Sequence, residues 1–201
     1  QGYIAVRETL GLENLDCGAS TAFAVADHQC AHIYVNDSNK LDEIRKLLQT
    51  IDGIESVLDK TEQQKLGLNH DRSGDLVAIS KADSWFSYYY WLDDKKAPDF
   101  ARTVDIHRKP GYDPAEMFID PNIKFPFLNV AYRLLKKKLG FRYLMDVIPL
   151  DSSLIKGSHG RITDDPSQGP ILIGPTQDLL KDKHYKMTDI YDLILLMSKD
   201  K

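Results

Sequence analysis

The chain has 201 residues and a formal net charge of -4 at pH 7, and 42% of its residues are hydrophobic while 28% are charged. Such values are ordinary for a globular protein, and this length allows one domain with a substantial core or two small ones. The negative charge argues against a general nucleic-acid binder, which usually carries a basic field. No apolar run is long enough to span a bilayer, so we expect a soluble chain without a membrane segment.

The N-terminal part predicts strands. Residues 2–10 alternate enough to form one strand that ends at Arg7 and Glu8. Residues 22–26 and 31–35 are rich in small and β-branched side chains, and they are separated by a short polar segment. This pattern predicts a β-hairpin with its turn at His28 and Gln29.

Helices and strands alternate in the next part of the chain. Residues 36–39 form a turn cluster, after which apolar residues fall at helical spacing: Leu41, Ile44, Leu47, Leu48 and Ile51. Residues 54–58 and 76–80 read as strands, and residues 61–66 between them as a short helix. Alternation of this kind favours an α/β or α+β fold over an all-β sandwich.

The middle of the chain is aromatic and then loop-rich. Residues 85–91 could stack a nucleobase, but a strand whose bulky side chains enter the core is the favoured interpretation. Residues 97–126 hold most of the prolines and show little periodicity. Loops of this length are usually functional or disordered, and the interleaved apolar and charged residues argue against disorder.

The C-terminal part predicts two helices and two short strands. Residues 130–139 form an amphipathic helix whose basic end suits a helix C-terminus, and a last helix begins at Thr188 or Asp189. Residues 147–150 read as a buried strand and residues 170–174 as a final one. We therefore expect a single domain over 1–201, with a loop-rich excursion at about 97–126.

The two cysteines, Cys17 and Cys30, are too few to predict a disulfide framework. They flank the first strand of the predicted hairpin, so a bridge within it is geometrically possible. We expect two reduced thiols, which leave the compartment undecided, with a cytoplasmic location slightly favoured over export. A first residue other than Met suggests a chain cut from something longer.

One C-terminal loop carries a candidate metal ligand. His159 follows the predicted strand at 147–150, with Gly157 and Gly160 on its two sides. Glycines let the backbone turn sharply and approach a ligand closely, and an imidazole on such a turn is a common zinc ligand. The alternative is a turn whose histidine caps a neighbour. His28 and His32 lie too far apart along a strand to share one ion.

Four segments carry a family resemblance: GSHG at 157–160, AFAVADHQ at 22–29, DIHRKPGYDP at 105–114 and GFRY at 140–143. Together they resemble the type I phosphodiesterase/nucleotide pyrophosphatase branch of the alkaline phosphatase superfamily. The likeness spans about residues 20–195 and corresponds to the C-terminal part of such an enzyme. It implies an α/β fold: part of a mixed sheet with flanking helices and a loop-rich excursion.

The resemblance also implies a chemistry. Enzymes of this group hydrolyse small phosphate esters with two divalent ions, usually zinc, about 4 Å apart. His159 matches the last metal ligand, whereas the Thr or Ser nucleophile and the other ligands would precede residue 1. No catalytic residue is therefore expected within this chain, and the chain alone should be inactive. The oligomeric state is not indicated.

The excursion supplies candidates for the substrate pocket: Asp105, His107, Arg108 and Lys109. Basic side chains there could neutralise a phosphate. Asp105 and His107 could instead form a hydrogen-bonded pair that shapes the loop. Two alternatives to phosphoester hydrolysis stay open, namely a phosphonate hydrolase of the same superfamily and a non-catalytic binding module that kept the fold.

Overall fold

The computed structural model describes residues 1–104, 109–112, 114–174, 180 and 184–199. The chain divides into two compact units, Gln1–Ile162 and Thr163–Lys201. A single domain over 1–201 stays a prediction. None of the helices in the described ranges is both long and apolar enough to cross a membrane.

The first unit begins with a small hairpin. Strand β1 (Val6–Thr9) pairs antiparallel with β2 (Leu12–Leu15). Leu10 and Gly11 connect them with φ angles of 53° and 79°, which match the positive values that tight hairpin turns prefer. The predicted strand over 2–10 is therefore wrong in its bounds, because pairing starts at Val6 and continues through Thr9.

The main sheet has five strands in the order β5-β6-β4-β3-β7. Their bounds are Ala22–Asp27 (β3), Cys30–Val35 (β4), Ile54–Leu58 (β5), Leu76–Ser80 (β6) and Gly111–Tyr112 (β7). Neighbouring strands are antiparallel except β3 and β7, which are parallel. The predicted hairpin with its turn at His28 and Gln29 is confirmed, as is the mixed α/β class.

Two helices belong to this sheet region. Helix α1 (Leu41–Gln49) buries Ile44, and the short helix α2 (Lys60–Lys65) begins at a capping box formed by Asp59 and Glu62. Both helices were predicted, with ends shifted by one or two residues. The core under them is a cluster of small and branched side chains: Ala22, Ala26, Ala31, Ile33, Ile44, Val57, Leu76 and Ala78.

The aromatic segment 85–91 lies in the core but forms no strand. Tyr88 and Trp91 are buried together with Ala97 and Ala101. The rings of Tyr88 and Trp91 meet edge to face with centroids 5.7 Å apart, an arrangement that aromatic pairs prefer. The core interpretation is confirmed and the strand is wrong, because these side chains pack on one another rather than along a pleated ladder.

Helix α3 runs from Pro126 to Lys138, and so begins earlier than predicted. Proline suits the first helical position, where its missing N–H needs no partner. No residue of α3 is buried in the described structure, and Phe127 and Leu128 are largely exposed. Lysines occupy its last turn as predicted.

The segment after α3 was predicted to contain a strand at 147–150. Val147, Ile148 and Pro149 are buried, but among the described residues this segment makes an isolated bridge, Thr103 with Asp146, and single backbone hydrogen bonds to Arg102 and Asp120 instead of a ladder. Proline lacks the N–H that a ladder needs, so burial here does not produce a strand.

The second unit contains helix α4 (Ile190–Lys199), which a single turn at Met187–Asp189 precedes. This agrees with the predicted start of the last helix. Residues 170–174 form no strand, and Ile171 and Ile173 are exposed. Both cysteines are free thiols, as predicted, and burial raises the pKa of Cys30.

Gly111 offers a test of the β3–β7 pairing. It has a φ of +140°, and a Cβ there would lie 2.2 Å from the carbonyl oxygen of Ala26. Gly111→Ala should therefore lower the free energy of unfolding by about 3 kcal/mol in urea titrations. The matched control is Gly140→Ala, which combines a φ of +78° with open space. It should cost about 1 kcal/mol, and equal losses would contradict the close approach.

Candidate functional site

One edge of the main sheet gathers the residues of interest. Strands β3, β6 and β7 run in the same direction, so their C-terminal ends meet at this edge. Asp27 ends β3, opposite Cys30, and the two-residue turn between them is His28-Gln29. The Gln29 N–H donates to the carbonyl of His159 at 2.9 Å. The sheet edge therefore holds the His159 loop by its backbone.

The His28-Gln29 turn is fixed from its other side as well. His28 has a φ of 56°, a left-handed conformation that is uncommon outside glycine. Its carbonyl accepts the Phe86 N–H at 2.7 Å. The buried Gln29 amide donates to the carbonyls of Lys81 and Ser84 at 3.3 and 3.1 Å. Surrounding contacts of this kind are what keep a strained turn residue in place.

The two glycines beside His159 behave differently. Gly160 has a φ of +112°, and a Cβ there would lie 3.4 Å from the backbone nitrogen of Gln29. Gly157 has a φ outside the left-handed region, and a Cβ there would meet nothing within 4 Å. A positive φ and a close backbone approach are therefore present at Gly160 and absent at Gly157, while the approach of this loop to a ligand stays a prediction.

The His159 imidazole is exposed and packs on another imidazole. Its ring centroid lies 4.2 Å from that of His28, with 33° between the planes. The Ser158 hydroxyl oxygen lies 3.2 Å from Nδ1 of His28. Among the described residues, no hydrogen bond of the His159 ring caps a neighbouring turn. An exposed imidazole in this setting is able to bind a ligand from solvent.

An ion pair ties the far end of the loop to the same edge. Nη2 of Arg161 donates to Oε1 of Glu55 at 3.0 Å, and Nε of Arg161 contacts the other carboxylate oxygen. The Arg161 side chain is 12% exposed. Glu55 belongs to β5, whose first residue, Ile54, pairs with Ser80 at this edge. Bidentate arginine–carboxylate contacts are geometrically specific, so the loop is held on both sides of His159.

The described residues place no group of three or more His, Cys, Asp or Glu side chains where they could hold a metal ion. His32 has a separate role, since its Nδ1 accepts the Gly74 N–H at 3.1 Å and burial lowers its pKa. The imidazole of His159 is a good zinc donor by its chemistry, and its exposure leaves it accessible. It fits a metal site to which other parts of a protein contribute further ligands.

Of the predicted pocket residues, only Lys109 lies within the described structure. Its Nζ is 2.6 Å from Oε1 of Glu116, and the two side chains are 1% and 9% exposed. The same Nζ lies 5.7 Å from the centroid of the Tyr88 ring. Lys109 lies two residues before β7 and Glu116 after it, so the pair joins the two sides of β7 within the excursion, while Tyr88 is a contact outside it. Asp105, His107 and Arg108 lie outside the described residues, and their role stays a prediction.

A cationic cavity of about 710 Å³ lies elsewhere in the first unit, between the β1–β2 hairpin and the end of α3. Its arginines have carboxylate partners: Arg133 binds Asp146 and Arg142 binds Asp99, each at 3.0 Å. These pairs neutralise much of its charge, and His159 does not line it.

Three features of the site escaped sequence analysis: the contact of His28 with His159, the Glu55–Arg161 pair and the Lys109–Glu116 pair. The turn position of His28 was the one available signal. The first two contacts join residues more than a hundred positions apart in sequence. Nothing local to either partner marks the pairing.

The Lys109–Glu116 pair generates a test. Removing one member of a buried ion pair leaves an uncompensated charge, so Lys109→Met should lower the free energy of unfolding by about 3–5 kcal/mol. The double variant Lys109→Met/Glu116→Leu should recover most of this loss in urea titrations. The matched control is Lys81→Met, since Lys81 and Asp52 pair at 2.6 Å with side chains 49% and 97% exposed. That change should leave the free energy of unfolding nearly unchanged, because the pair is exposed to solvent, and similar losses at both sites would contradict the buried character of the Lys109–Glu116 pair.

Comparison with solved structures gave a short match. The crystal structure of phosphonoacetate hydrolase from Sinorhizobium meliloti 1021, in complex with phosphonoacetate, is 26% identical over 32% of this chain. The match covers 19% of that enzyme, so this chain spans about a fifth of its length there. Its TM-score is 0.30, which is too low to support a structural argument. No functionally curated protein matches the chain.

The family comparison is broader. The family model for type I phosphodiesterase / nucleotide pyrophosphatase matches residues 1–113, which is more than half of the chain. The matched range includes every strand of the main sheet and the His28-Gln29 turn. It ends before the loop that carries His159. The chain belongs to the type I phosphodiesterase/nucleotide pyrophosphatase family.

Proposed function

We propose that the intact protein is a metal-dependent hydrolase of phosphoesters or phosphodiesters, and that this chain supplies one metal ligand and part of the pocket. Membership of the family supports the reaction class. The observation that carries the role of this chain is the exposed His159 imidazole on a loop fastened to the sheet edge. A ligand must be held in one place to bind a metal well, and that is what these contacts do.

Two divalent ions, zinc by the family resemblance, would stabilise the charge on the attacking and leaving oxygens. Other residues of this chain hold the proposed metal ligand, His159, in place. Gly160 lets the loop lie against the Gln29 backbone, and Arg161 pairs with Glu55 on β5. The nucleophile and the remaining ligands are proposed to lie outside this chain. The 201-residue chain by itself is therefore expected to be inert toward phosphodiesters.

The substrate is proposed to be a small phosphate ester. Asp105, His107, Arg108 and Lys109 remain the candidates for the pocket, and basic groups among them would neutralise phosphate charge. Because Glu116 pairs with Lys109, we propose that Lys109 acts by holding the excursion beside the pocket rather than by binding phosphate directly.

The glycines beside His159 provide a matched pair for testing the loop. Gly160→Val should weaken Zn²⁺ binding by the intact protein roughly tenfold or more, because the side chain would strain a φ of +112° and press on the Gln29 backbone. Gly157→Val should leave Zn²⁺ binding unchanged, since that position has open space. Isothermal titration of both apo-variants measures this, and equal effects would show that the loop geometry is not what matters.

His159→Ala tests the proposed ligand itself. Loss of a residue that only supports a ligand costs about 10–100-fold in metal affinity or activity, so loss of the ligand should cost roughly that or more. Stability of the apo-protein should change little, because an exposed imidazole buries little apolar surface. Zinc content and turnover of a nitrophenyl phosphodiester, measured on the intact protein, check both statements. Equal zinc content and turnover in wild type and His159→Ala would remove the assignment.

A further inference from the structure

We infer that His28 is a positioning residue that sets the direction in which His159 presents its metal-binding nitrogen; the inference rests on the proposed function. His28 and His159 come from parts of the chain that are distant in sequence. Their rings nevertheless lie in contact at a tilt, with centroids 4.2 Å apart and 33° between the planes. The contact forms at the turn that also binds the His159 carbonyl.

The orientation of an imidazole decides how it binds a metal. The nitrogen lone pair lies in the plane of the ring, so rotation of the ring swings the donor away from the ion. Metal-binding histidines usually have a neighbour that fixes this rotation, most often through the second ring nitrogen. The flat face of His28 does so here by restricting how the His159 ring turns about its side-chain bond.

His28 is itself held in place at several points. Its Nδ1 lies 3.2 Å from the hydroxyl oxygen of Ser158, the residue next to His159. Its Nε2 lies 3.8 Å from a carboxylate oxygen of Asp27. Its carbonyl accepts the Phe86 N–H. The His28 ring is therefore held in one orientation instead of rotating freely, as a positioning role requires.

The backbone conformation at His28 makes glycine a discriminating substitution. With a φ of 56°, this position would be less strained as glycine, which adopts left-handed conformations without a steric penalty. If His28 served only the turn, replacement by glycine would leave Zn²⁺ affinity unchanged. If His28 orients His159, the same replacement would weaken Zn²⁺ binding without a loss of stability.

The experiment compares H28G and H28N with wild type in the intact protein. Zn²⁺ affinity is measured by competition with a chromogenic chelator, and stability by thermal unfolding of the metal-free protein. H28G should weaken Zn²⁺ binding by about 10–100-fold, while its metal-free melting temperature stays the same or rises. H28N tolerates the left-handed turn and can bind Ser158 but lacks the ring face, so it should also bind Zn²⁺ more weakly.

The matched control is H70N. His70 is an exposed turn histidine whose Nδ1 accepts the Arg72 N–H at 3.1 Å, a bond that asparagine can reproduce. This variant should keep wild-type affinity and stability. Unchanged Zn²⁺ affinity in H28G, whatever its melting temperature, would assign His28 a purely structural role and overturn the inference. Wild-type affinity in H28N would likewise show that the ring face is not needed.

The variant His159→Ala separates this inference from the proposed function. Should His159→Ala lose Zn²⁺ while both His28 variants retain it, the ligand assignment stands and the positioning role falls. Should His159→Ala itself bind Zn²⁺ as wild type does, the proposed function falls first. Weaker Zn²⁺ binding in His159→Ala and in both His28 variants supports the two together.

Discussion

The candidate site depends on the turn between β3 and β4, and above all on the buried amide of Gln29. The Gln29 side chain donates to carbonyls of the segment after β6, while its backbone N–H donates to the His159 carbonyl. A buried amide without its carbonyl partners would be costly, so the side-chain contacts fix the turn that offers the backbone N–H to His159. Through this one residue, three separate parts of the chain meet at a single edge of the sheet.

The contacts around this turn fix different parts of the chain. The Glu55–Arg161 pair sets where the loop leaves the sheet, and the close approach of Gly160 sets how near it lies. The excursion is attached independently, by the parallel pairing of β7 with β3, and the buried Lys109–Glu116 pair lies within it on the two sides of β7. The excursion thus reaches β3 through β7, and the His159 loop lies against the turn that follows β3. The family match contains both β3 and this turn.

Sequence reasoning succeeded where structure is local. The hairpin at 22–35 was predictable because its pairing partners are adjacent and its turn is short. Helices α1 and α2 were predictable for the same reason, with apolar spacing and capping signals in one window. The strands proposed at 85–91 and 147–150 failed because apolar content indicated burial, whereas strand formation also needs a partner elsewhere in the chain. The segment 170–174 is apolar, yet it is exposed and forms no strand.

The candidate site, too, was predictable only where its signals are local in the sequence. His159 stood out through the glycines beside it and the family resemblance of its motif. The residues that hold it were invisible, since a histidine at a hairpin tip and a glutamate on a strand look like ordinary surface positions.

The sequence separation of these contacts has a consequence for the order of folding. The β3–β4 hairpin joins neighbouring residues, but the contact of His28 with Ser158 closes a loop of 130 residues. Long loops lose more chain entropy on closure, so local pairs form readily and distant ones wait for a surface on which to dock. The sheet should therefore assemble first and the His159 loop last. Amide hydrogens of the loop should then exchange with solvent well before those of β4 and β6, through openings that leave the sheet intact.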